Sequence, residues 1–184
     1  HRDLHSFPTR RSSDLEDIDL HRRSGLVTAY FSADGTSKHA LKLLRKDLTP
    51  DQILRAAQFM AESGTLAVYH FLVNLPGENR QTVDETRALL DTLFEIHAPF
   101  GNLGAVVLNN VRLYPGAPLT DRLLREKLID PRLDLLYPTY YNPPPWDHLR
   151  HELTAACMQQ SVLGYLAAPG SPQRGKEADA HRPA

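Results

Sequence analysis

The chain has 184 residues, 41% of them hydrophobic and 23% charged, with a formal net charge of −1. That balance belongs to an ordinary globular domain and offers no basic footprint to nucleic acid or to an anionic membrane surface. No apolar run approaches the roughly 20 residues a bilayer-spanning helix needs and no secretory pattern is legible, so a cytoplasmic protein handling a small molecule is expected.

In chain order, residues 1–15 (HRDLHSFPTRRSSDL) show no helical or strand period. The stretch FPTRRSSDL resembles the in-frame translation of a sequencing adapter, and residues 1–15 are set aside from fold reasoning. From residue 16 the chain repeats one pattern, an apolar strand-like run followed by a helix, with strand runs at 25–32, 66–73 and 105–114. Ser37 opens a short helix. Thr49-Pro50-Asp51-Gln52 then supplies a cap, a proline suited to the first turn and a capping-box glutamine. Ile53, Ala56, Ala57 and Met60 follow a helical period that Gly64 ends in a left-handed stop. Val83, Thr86, Leu90 and Leu93 give the next helix, closing near Ala98-Pro99. Strands alternating with helices predict an α/β fold with about three parallel β/α units, which fits a partial (β/α) TIM-like barrel or an open doubly wound sheet, the pattern alone not separating the two; the barrel, with a C-terminal helical extension, is the expectation carried forward.

In such folds ligands bind beyond the carboxyl ends of the strands. Those ends read Ser32-Ala33-Asp34-Gly35-Thr36-Ser37, then Asn74-Leu75-Pro76-Gly77-Glu78, then Arg112 running into Tyr114-Pro115-Gly116. Singly, each has a plain reading: Asp34 and Ser37 as helix caps, the Pro-Gly pairs as turns, Glu78 as a dipole partner. Together they line one rim.

Those residues also carry a family resemblance. SADGTSKHALKLLRKDLTPDQILRAAQFMAESG, VYHFLVNLPGENRQTVDETRALLDTL and VRLYPGAPL, spread over residues 26–127, resemble the second half of the radical S-adenosylmethionine (radical SAM) barrel, and most of all the members with an upstream cobalamin-binding domain. Leu75-Pro76-Gly77-Glu78 followed by Thr82, Glu85 and Thr86 is the most specific piece. The resemblance implies that Ser32, Asp34 and Ser37 meet the ribose and methionine parts of S-adenosylmethionine, that Asn74, Pro76, Gly77 and Glu78 pack against the adenine, and that Arg112 and Tyr114 reach its edge. Ala33-Asp34-Gly35 departs from the usual acidic-Ser-Ala-Ser pattern. The family's 4Fe-4S cluster needs a CxxxCxxC loop, and Cys157 is the only cysteine, so the cluster ligands are expected outside this chain, as is any cobalamin domain. The implied enzyme reductively cleaves S-adenosylmethionine with an external electron donor and acts on a substrate the sequence does not name. The chain alone is expected to be inactive.

Residues 16–136 are thus read as barrel, 137–168 as a proline-rich segment plus helix, and 169–184 as a disordered tail. The segment PTYYNPPPW should run extended with its aromatics packed on the barrel. A helix from about Trp146 should present Leu149, Leu153, Cys157, Leu163 and Tyr165 as a packing face. Cys157 reads as a small buried hydrophobe, His70 as a satisfied strand residue, and His148, His151 and Glu152 as a solvated face rather than a metal site. Two other functions stay open: another (β/α) enzyme using Lys46 or Glu78, or an interaction module built on the proline-rich segment.

Overall fold

A computed structural model describes residues 13–166. The expected adapter-like start and tail therefore lie almost wholly outside the described residues. Helix α1 (Ser13–Arg23) leads into β1 (Thr28–Asp34), α2 (Lys38–Leu43), α3 (Pro50–Ser63), β2 (Leu66–Leu72), α4 (Arg80–His97) and β3 (Leu103–Asn109). There follow β4 (Arg112–Leu113), α5 (Pro118–Arg125), β5 (Thr139–Tyr140), α6 (Leu149–Gln159) and β6 (Leu163–Leu166). Helix α1 runs across the boundary expected at residue 15.

Strands β1, β2, β3 and β6 form one parallel sheet in that order. This is the α/β architecture that the strand-helix alternation predicts. Local signals place the helix ends where expected. Thr49 and Gln52 exchange both capping-box hydrogen bonds, Pro50 opens α3, and Gly64 ends it at φ 72°. Asn79 and Thr82 form a second capping box at the start of α4.

Two expectations are corrected. The run 105–114 is not one strand: it breaks after Asn109, and Arg112–Leu113 leaves the parallel sheet to pair antiparallel with Thr139–Tyr140. The helix from Trp146 stops at Gln159, Ser161 turns with φ 57°, and Leu163 and Tyr165 lie in β6 against β3 rather than on a helical face. Apolar residues at these positions fit a helical spacing as well as a strand, and only the open edge of β3 decides between them.

The sheet has two unlike faces, because successive strand residues point opposite ways. Tyr69, Phe71, Val106 and Leu108 join buried residues of α2, α3, α4 and α6 in the main core. Val68, Ala105 and Val107 form a separate cluster on the other face. Tyr30, Val68, Ala105 and Leu163 are in cross-strand register there, and the outer two are 71% and 64% exposed. No described helix is long and apolar enough to cross a membrane.

Candidate functional site at the carboxyl ends of the strands

Register brings the three expected loops to one end of the sheet. Asp34 pairs with Phe71, Phe71 with Leu108, and Leu72 with Asn109, so β1, β2 and β3 finish at the same level. Three polar braces then tie the loops together.

The first joins the loop after β1 to the turn after β2. His39 on α2 lies 2.9 Å from the Pro76 carbonyl, which can only accept, so Nε2 carries the proton. The turn allows this approach because residue 77 is glycine: at φ 84°, a Cβ there would lie 3.0 Å from His39 Cε1. The second brace is Thr36 to Thr86, 2.7 Å apart and buried. Thr86 already donates to the Thr82 carbonyl, so Thr36 is the donor between them.

The third is built on Asn142 of the proline-rich segment. Its Oδ1 accepts from Asn74 Nδ2 at 2.7 Å and from Asn110 Nδ2 at 3.0 Å, and its own Nδ2 donates to the Asp147 carbonyl. Asn74 also donates to the Pro143 carbonyl and Asn110 to that of Val73. Residues 142–147 are thereby strapped over the ends of β2 and β3. Tyr141, next in the strap, is buried with Leu113 and Leu123, and Trp146 packs on the main core. The segment runs extended through β5, and its aromatics Tyr141 and Trp146 pack on the domain.

The expected site residues differ in what they have free. Ser32 is exposed on β1. Asp34, held at φ 60°, pairs with Lys46 Nζ at 2.6 Å, which also occupies the lysine considered as a base. Ser37 is fully buried, and its side-chain oxygen caps α2 by accepting from the Ala40 N–H. Asn74, 2% exposed, spends its amide on the strap. Pro76 accepts from His39, and Gly77 presents exposed backbone. Glu78 is held by the backbone N–H groups of Leu75 and Asn74, yet burial dominates and raises its pKa above the usual carboxylate value. Arg112 stacks over the half-exposed Tyr114 ring at 4.7 Å.

Five buried side-chain polar atoms among the described residues lack a partner, and three of them lie at this end: Glu78 Oε2, Asn109 Oδ1 and Arg112 Nε. Folded proteins rarely leave such atoms unpaired, so each marks a place where a water, an ion or a ligand could complete the bonding. Sequence reading singled out Glu78 and Arg112 but missed Asn109, Asn142 and His39. Asn109 was in principle findable: it is the polar residue that interrupts the alternate series Ala105, Val107. Asn142 had no local signal.

The described residues do not fit an iron-sulfur cluster. They contain no group of three His, Cys, Asp or Glu placed to hold a metal. Cys157 is buried, and burial pushes its thiol pKa up to about 11, away from the thiolate a metal needs. On α6, Glu152 is taken by Arg87, at 2.7 and 2.9 Å, and lies 3.7 Å from His148.

Two similarities to known proteins cover part of the chain. The family model of the Radical SAM superfamily matches residues 4–90, from within the stretch set aside at the start to the middle of α4, just under half of the chain. The chain is also similar to the anaerobic magnesium-protoporphyrin IX monomethyl ester cyclase of Rubrivivax gelatinosus, 28% identical over 86 residues. That alignment takes in 45% of this chain but only 16% of the relative, so the chain corresponds to about a sixth of that protein's length.

Proposed function

We propose that the chain is part of a radical SAM enzyme, and that the rim formed by the loops after β1, β2 and β3 is the wall of its S-adenosylmethionine site. The observation that carries this is the concentration of unpaired buried polar atoms, Glu78 Oε2, Asn109 Oδ1 and Arg112 Nε, at the end of the sheet where α/β folds bind ligands. The superfamily match and the resemblance in the same loops support the identity of the ligand.

The residues fit an adenosyl group. Glu78 offers an acceptor to a hydroxyl or amine, the exposed Gly77 backbone lets a planar base approach, and Arg112 with Tyr114 gives a flat cationic edge. S-adenosylmethionine, when bound, supplies the adenosyl group for radical chemistry. The chain's own part is to orient that group and keep water from it. His39, Thr36 and Asn142 tie the three loops to one another, and residues 142–147 are held against the ends of β2 and β3.

The same proposal places the 4Fe-4S ligands on a cysteine loop outside this chain, which alone would then be inactive. It includes an external electron donor, a small-molecule substrate and a cytoplasmic setting. Cobalamin-dependent methyl transfer is the finer reading, supported by the resemblance to members with a cobalamin domain. The test is anaerobic. A longer protein that includes the cysteine loop, reduced with dithionite and given S-adenosylmethionine, should release 5′-deoxyadenosine. A cluster-loaded protein that neither binds nor cleaves the cofactor would end the proposal.

A further inference from the structure

The loop that joins α5 to β5, residues 126–138, is tied down along its length. The Leu128 N–H bonds back to the Leu123 carbonyl, and the Leu133 N–H to that of Asp130. Asp130 also holds Arg132 at 2.7 Å, Asp134 accepts from the Leu136 N–H, and the Thr139 hydroxyl donates to the carbonyls of Asp134 and Tyr137. Ile129 and Leu135 anchor the loop inward, on the small core of Leu113, Leu123 and Tyr141. Because both anchors reach one core, their neighbours Leu128 and Leu136 stay on one part of the surface. Those neighbours are uncovered. Leu128 and Leu133 are exposed, and so, at 83% and 69%, are Leu136 and Tyr137.

Four large apolar side chains held outward by one short, hydrogen-bonded loop mark a contact surface rather than a scatter of surface leucines. Beside them lies a depression of about 520 Å³, lined by Leu124, Lys127, Leu128, Ile129, Asp130 and Pro131. Charge indicates what would fill it. Arg122 is taken by Glu126 and Arg132 by Asp130, whereas Arg125 and Lys127 pair with no carboxylate among the described residues. We infer that this loop is a docking surface for an acidic, apolar segment of a partner polypeptide: its large side chains seat in the depression and against Leu136 and Tyr137, and its carboxylates meet Lys127 and Arg125. Two free cations are too few to hold the loop on an anionic membrane, where clusters of about four to eight do so. The surface stands apart from the adenosyl rim and does not depend on what that rim binds.

The test titrates the full chain into a fluorescein-labelled peptide, Glu-Leu-Leu-Glu-Asp-Leu-Phe-Glu, and reads fluorescence polarisation. Binding should saturate below about 1 mM, as for a weak, transient contact, and should weaken several-fold between about 50 and 300 mM salt. Leu136→Ser should weaken it about tenfold. Lys127→Glu should weaken it about threefold or more and reduce the salt dependence. Both side chains are exposed, so each variant should keep the wild-type thermal unfolding midpoint. The peptide carrying lysine at every acidic position should not bind.

No saturable binding of the acidic peptide would overturn the inference. Equal affinity of Leu136→Ser and wild type would do the same, since the peptide would then sit elsewhere, for instance on the open face of the sheet. Equal binding of the lysine peptide would remove the charge complementarity on which the choice of partner rests. Sedimentation of the chain with phosphatidylglycerol vesicles, without binding of the peptide, would assign the loop to a membrane surface instead.

Discussion

His97 sits where α4 ends, 1% exposed, between Tyr69 and Asn102. Asn102 spends its amide NH2 on the carbonyls of Met60, Ala61 and Thr65, so its Oδ1 is an acceptor and His97 Nδ1 must be the donor at 2.8 Å. Nε2 then accepts from the Tyr69 hydroxyl at 3.0 Å. This chain of bonds needs a neutral imidazole, and burial lowers the His97 pKa below its ordinary 6.5, although the Asn102 bond pulls the other way. The unfolded chain therefore takes up a proton that the folded one refuses, and stability present above pH 6.5 is lost as pH falls below it. Urea midpoints measured from pH 7.5 down to 5 should fall, and His97→Gln should flatten that slope relative to wild type. An unchanged slope would show that His97 is not the group responsible. Cys157 gives a second prediction at this scale. With its thiol buried and its pKa pushed up to about 11, it should resist iodoacetamide at pH 8 in the folded protein and react once urea unfolds it, as read by mass spectrometry.

The elements show which parts of the fold could be read from sequence. Capping boxes are local, and so Thr49 with Gln52 marks the start of α3 as plainly in the sequence as in the structure. The strand-helix alternation is equally local, and it suffices to predict parallel pairing. What could not be read depends on partners far along the chain. Strand β6 exists because β3 offers an edge, and the break between β3 and β4 exists because the strap captures residues 111–113 through β5 and the Tyr141 N–H. Asn142 meets Asn74 across 68 residues and Asn110 across 32, a distance over which no spacing rule reaches. That clasp should matter energetically, since its loss leaves amide donors of Asn74 and Asn110 short of an acceptor in a buried place. Asn142→Ala should cost about 1–3 kcal/mol in urea unfolding and speed hydrogen exchange in the strap more than in β2. A change below a few tenths of a kcal/mol would show that the strap is held by its aromatics instead.

At the scale of the molecule, the sheet among the described residues is covered by helices on one face and paired along neither edge. Strands β1 and β6 are its outer strands among the described residues, and the face away from the core helices carries the exposed side chains of Tyr30, Leu66 and Leu163. Open parallel edges beside apolar surface pair readily with other chains. The isolated chain should therefore grow in apparent mass with concentration in sedimentation velocity, and Tyr30→Lys, placing a charge on the edge strand, should reduce that growth. Equal association by both proteins would contradict this.

The three strand ends are proposed to act as one adenosyl-binding rim, and the roles of Glu78 and Arg112 depend on their doing so. The most direct measurement is a backbone amide NMR map of the chain titrated with S-adenosylhomocysteine. Saturable shifts should concentrate in residues 32–37, 74–78 and 109–114, with α1 and the bottom of the sheet around Thr65 and His97 unmoved. Shifts spread without regard to those loops, or none at millimolar ligand, would contradict it.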